Sequence, residues 1–104
     1  MTAAKVRSLA QTILPEAKRW LRRTSNSLDS EVEQTVAACL MDLSVVGVKN
    51  IDAEDPLIQQ AAKMYLKANF GYDDNAERWQ LFYDNLKRFL SSSSAYTEEV
   101  KADG

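Results

Sequence analysis

The sequence predicts an all-α protein, a small bundle of four to five helices with short connections and a mobile C-terminal tail. Three observations lead there. Apolar residues recur at spacings of three and four along most of the chain, which gathers them on one face of a helix. Nothing alternates with period two for long enough to propose a sheet. Glycine and proline are scarce, three and two, and they fall where helices should stop and start.

Taken in order, residues 3–13 carry Val6, Leu9, Ala10 and Ile13 at helical spacing. Pro15 suits a first helical turn, where its missing N–H would have no partner anyway. It therefore opens a second short helix over residues 15–23, with Ala17, Trp20 and Leu21 on one side. A polar connection, Thr24 to Ser27, follows. The next helix is expected over residues 30–46, on the stripe Val32, Val36, Leu40, Leu43 and Val46. Ser30 and Glu33 have capping-box spacing at its start, and Gly47 is placed as a left-handed stop.

Asp55 followed by Pro56 predicts a capped helix over residues 55–70, with Leu57, Ile58, Ala61, Ala62, Tyr65, Leu66 and Phe70 as its apolar stripe. Gly71 closes it. Asp74, with Glu77 three residues later, then predicts the cap of a last helix over residues 74–90. Its wide face is Trp79, Phe82, Tyr83, Leu86, Phe89 and Leu90. So short a connection makes these two helices antiparallel or sharply angled neighbours. Ser91 to Ser94 breaks the pattern. Residues 1–94 are read as one helical domain and residues 95–104 as a flexible tail, with Tyr96 and Val100 its only large apolar groups.

At 104 residues, with 45% apolar and 27% charged side chains, the chain has the make-up of one ordinary globular domain. Its formal charge of −2 gives no global field toward nucleic acid or anionic membrane. The distribution is uneven: Lys5, Arg7, Lys18, Arg19, Arg22 and Arg23 face only Glu16 in the first part of the chain. A solvated basic face explains them most simply, and a contact surface is the sharper reading.

Histidine is absent, which removes the commonest general base and metal ligand. The lone Cys39 lies in an apolar run, Ala37 to Met41, and reads as a small core hydrophobe. It implies neither a disulfide nor a zinc site, and it suits a reducing compartment. The longest apolar run, Val36 to Met41, is too short for a membrane span or a signal core. No phosphate-binding loop or nucleophile–base pair is found, so no enzyme activity, cofactor or metal is expected. Asp73, Asp74 and Glu77 are explained by helix capping with fewer assumptions than by a cation site. The aromatic residues Tyr65, Phe70, Tyr72, Trp79, Phe82 and Tyr83 are read as core rather than as a base-stacking surface.

The stretch from Asp55 to Leu90 carries a resemblance. Asp55-Pro56-Leu57-Ile58, the run from Tyr65 through Gly71 to Asp74, and Glu77-Arg78-Trp79 with Tyr83 and Leu86 resemble phage head–tail connector proteins, also called DNA-packaging proteins. Leu21 to Ser25, Leu28 to Val32, Asp42-Leu43 and Gly47-Val48 are similar to that family's earlier segments. The likeness covers residues 15–96. The first fourteen residues and the segment after Tyr96 depart from it.

The resemblance implies a virion structural protein made in the host cytoplasm and built into the head–tail junction. It would form a ring, ordinarily a dodecamer, beneath the portal protein and dock the next head-completion or tail protein. DNA would pass through the lumen without sequence-specific binding, and neither a membrane nor a cofactor would be involved. Asn69, Phe70, Gly71, Asp74 and Glu77 would form a stiff corner between two helices. Trp20, Arg22, Arg23, Tyr96, Glu98 and Glu99 are the candidate ring or partner contacts. The alternative is a small helical nucleic-acid-binding regulator using the basic segment from Lys18 to Arg23, although base-reading side chains are hard to find beside it.

Overall fold

The computed structural model describes residues 2–22, 27–69 and 74–98. Among them the chain forms helices α1 (Ala3–Trp20), α2 (Asp29–Val45), α3 (Pro56–Asn69), α4 (Ala76–Ser92) and the single turn α5 (Ser94–Thr97). No strand occurs among the described residues. The all-α expectation holds.

The first difference lies in α1, where the two expected N-terminal helices are one, with Pro15 inside it. An interior proline removes a hydrogen bond and can cost about 3 kcal/mol. Here the apolar register decides the matter. Val6, Ala10, Ile13 and Ala17 are buried at spacings of four, three and four, straight across the proline, while Pro15 itself faces solvent. Breaking the helix there would forfeit the seating of Ala17 against the core.

α1 and α2 form a helical hairpin. Lys18 near the end of α1 pairs with Asp29 at the start of α2, Nζ to Oδ1 at 3.1 Å. That salt bridge joins the adjoining ends of the two antiparallel helices. α2 begins at Asp29, with Leu28 at the cap position and no side-chain capping bond. The Ser30–Glu33 capping box is therefore not formed, because both residues already lie inside the helix. Starting one residue earlier places Asp29 where the helix dipole favours an anion and Lys18 can reach it.

The end of α2 follows the sequence closely. Gly47 has φ of 99°. Its N–H donates to Ser44 O, and the Val48 N–H donates to Leu43 O. These are the two bonds of a Schellman stop, and Leu43 and Val48 supply its buried apolar contact. Asp52 then turns the chain by accepting from Glu54 N at 3.0 Å, and Asp55 caps α3 by accepting from Leu57 N at 2.9 Å.

α3 and α4 make the second hairpin. Tyr65 meets Tyr83 edge-on at 5.1 Å, and Lys67 lies 5.5 Å from the Trp79 ring. Advancing along α3 means retreating along α4, so the pair is antiparallel. α4 starts at Ala76 with Asn75 at the cap position and no side-chain capping bond. The Asp74–Glu77 box is thus not formed either: Asp74 lies one residue too early to be the cap.

The core runs through both hairpins. Val36, Cys39, Leu40, Leu43, Ile58, Ala61, Ala62, Leu66 and Leu90 have no exposed surface. Truncating one of its leucines to alanine should cost about 2–5 kcal/mol. The wide face expected of α4 is only partly used. Tyr83 and Leu90 are buried, but Phe82 and Phe89 remain 42% and 56% exposed. α3, α5 and the Asp42 contact from α2 leave this part of the arc uncovered.

Candidate functional site

Among the described residues, the candidate contacts named from the sequence fall at two ends of the fold. Trp20 and Arg22 stand at the far end of α1. Trp20 is half-buried and packs on the core. Arg22 is exposed, and its left-handed backbone, φ 56°, terminates the helix with its N–H on Arg19 O at 3.0 Å. The basic segment is less free than its composition suggests. Lys18 is engaged by Asp29, and Arg19 by Glu16 at 2.6 Å. Arg23 lies outside the described residues.

Tyr96 and Glu98 sit at the other end. Residues 95–98, assigned to the tail by the sequence, are tied to the α2–α3 loop. The backbone N–H groups of Lys49 and Asn50 both donate to Tyr96 O, at 2.6 and 3.2 Å. The Asn50 side-chain amide donates to Ala95 O and Glu98 O, at 2.6 and 2.8 Å. The Tyr96 hydroxyl donates to Asp55 Oδ2 at 2.9 Å. Asp55 thus caps α3 with one oxygen and holds Tyr96 with the other. Desolvation first, then the adjoining carboxylate, raises the Tyr96 pKa above the usual phenol value. Glu99 lies outside the described residues, as do residues 100–104.

An open cleft of about 470 Å³ is lined by Tyr96, Asn50, Asp52 and Asp55 on one side and Lys5 of α1 on the other. Because Lys5 and Trp20 lie fifteen residues apart on one helix, the two candidate contact ends stand roughly 22 Å apart.

The expected corner is described only at its edges. Asn69 closes α3, and its side-chain amide donates to Tyr65 O at 2.9 Å. Asp74 and Glu77 are exposed. Phe70 and Gly71 lie outside the described residues.

One polar cluster escaped the sequence reading. Asp42 Oδ2 accepts from the Tyr83 hydroxyl at 2.7 Å and from Lys87 Nζ at 3.1 Å, joining α2 to α4. Lys87 also lies 5.4 Å from the Tyr83 ring. Burial first, with Cys39 and Asp42 adding to it, drives the Tyr83 hydroxyl strongly toward its protonated form. Burial likewise pushes the Cys39 thiol up to about 12. A thiol held neutral and fully buried is a packing group, not a nucleophile. No spacing rule in the sequence links position 42 with positions 83 and 87, so only the fold reveals this clamp.

Among the described residues, no group of three or more acidic or cysteine side chains could hold a metal ion. None of their helices is long and apolar enough to cross a membrane. A family model described as phage connector protein matches residues 13–97. No curated protein and no solved structure matches the chain.

Proposed function

The chain belongs to the phage connector protein family, and from that premise we propose that it is the portal adaptor at the head–tail junction of a tailed phage. In this reading identical copies close into a ring, a dodecamer in the virion. The ring extends the DNA channel below the portal and docks the next head-completion or tail protein. DNA crosses the lumen without being read, and the protein performs no catalysis.

The observation that carries the reading is the two-ended layout. An adaptor must meet one neighbour above and another below, and the candidate contacts Trp20 and Arg22 stand at the opposite end of α1 from Tyr96 and Glu98. We assign Arg23 and Glu99 to the same two groups from their chain positions. The corner of Asn69, Phe70, Gly71, Asp74 and Glu77 is proposed to fix how α3 and α4 meet, so that copies tile alike. Nucleic-acid regulation is less well supported, because Lys18 and Arg19 already have carboxylate partners. Strong salt-dependent binding to duplex DNA would favour that rival.

The test is reversal of both arginines in the phage, Arg22→Glu with Arg23→Glu. The purified variant should keep its helical content, while infectious particles are lost at the head–tail joining step. Normal phage yield would refute the assignment of this end to assembly.

A further inference from the structure

We propose that the outer face of α4 in one copy seats in a trough between α1 and α2 of the next copy, and that this ridge-in-trough contact is the repeating joint between subunits. The inference rests on the ring reading and names the surfaces that would make it.

The ridge consists of Leu81, Phe82 and Phe89, exposed by 57%, 42% and 56% on the side of α4 turned away from its buried Tyr83 and Leu90. Arg78 and Arg88 flank it, both exposed and neither in an ion pair among the described residues. Isolated exposed apolar side chains are ordinary, but three large ones on one helix face mark a contact surface.

The trough is an open groove of about 430 Å³ whose walls include Ala3 and Val6 of α1 and Ala37, Ala38 and Met41 of α2. Its three alanines leave room for bulky side chains. On α2 the stripe of Ala38 and Met41 continues to Val45, which is 78% exposed. Ala38 to Val45 spans about 10 Å and Leu81 to Phe89 about 12 Å, so the apolar lengths agree.

Charge favours the same pairing. α2 contains no basic residue. Of its acids, Asp29 and Asp42 are paired within the molecule, whereas Glu31 and Glu33 meet no described cation. Arg78 and Arg88 on the ridge complement those two carboxylates, although Arg7, which lines the trough and shares a groove with Glu33, places one cation on the same wall. Ridge and trough occupy different hairpins, and each is open in the same molecule. Copies joined this way use two different surfaces at every joint, the heterologous arrangement that closes into a ring when the rotation between neighbours returns to its start.

The experiment uses the full chain in two variants and native mass spectrometry. Leu81→Glu with Phe89→Glu disables the ridge; Ala38→Glu with Val45→Glu disables the trough. All four positions are exposed. Serine at the same positions replaces glutamate if circular dichroism shows a folding loss. Where the native chain forms higher oligomers, each variant alone should remain monomeric, and an equimolar mixture should stop at one-to-one pairs. Ring formation by either variant overturns the joint while leaving the ring reading intact. Two monomeric variants that fail to pair also overturn it, since the surfaces then serve other partners such as the portal. A native chain that stays monomeric at every concentration overturns the joint as a self-sufficient contact. In that case subunit counting in the phage particle judges the ring reading separately.

Discussion

At the scale of single residues, Arg22 is the most informative position. Its backbone lies in the left-handed region, where an L side chain costs about 1–2 kcal/mol. Glycine would remove that strain and keep the helix stop. Arg22→Gly should therefore raise stability by about 1 kcal/mol, seen as a higher urea midpoint with unchanged slope. A stabilised chain that nonetheless assembles poorly would show that the arginine serves a partner. Gly47 makes the converse case. A Cβ there would meet nothing within 4 Å, so any penalty comes from the backbone alone. Gly47→Ala should lower stability by about 1–2 kcal/mol, which a thermal melt would record as a drop of several degrees.

At the scale of elements, three of the four long helices lie within two residues of the ends read from the sequence. Their stripes were strong and their punctuation local. Asp55-Pro56 and Gly47 act through the backbone next to them, so their neighbours in sequence suffice to recognise them. The failures share a cause. Pro15 looks like a start because its own chemistry favours one, but four buried residues across it outweigh that preference. The capping boxes at Ser30 and Asp74 have the right spacing in the wrong register, since tertiary contacts choose the first turn. α5 leaves little pattern to read, because most of its ties run from the Lys49 and Asn50 peptide groups and the Asn50 side-chain amide to its backbone carbonyls. The Tyr96–Asp55 bond joins two side chains, and it can be removed cleanly. Tyr96→Phe should loosen this segment and cost about 0.5–1.5 kcal/mol; hydrogen exchange at residues 94–98 should rise while α2 is unaffected.

At the scale of the molecule, the family was legible from motifs, whereas the surfaces were not. Apolar spacing on α4 reads the same whether a face is buried or bare, and only the hairpin geometry shows which aromatic residues are left out. The buried acids also give the whole protein an alkaline limit. The unfolded thiol titrates near 9.0 and phenols near 10.0, but burial raises Cys39 to about 12 and lifts Tyr65, Tyr83 and Tyr96 as well. Folded values above unfolded ones mean that this stability is complete below about pH 9 and declines as pH rises further. Cys39 alone contributes at most about 1.4 kcal/mol per pH unit over that range. The melting temperature should thus begin to fall above about pH 9, and Cys39→Ala should delay the fall to the phenol range. A flat profile up to about pH 11 would contradict this account.

The same cysteine is also a clock. It is the chain's only thiol and has no exposed surface, so an alkylating reagent can reach it only when α2 comes away from its neighbours. The speed of labelling then counts openings of the subunit directly, and comparing loose protein with intact particles would reveal how far incorporation slows that breathing.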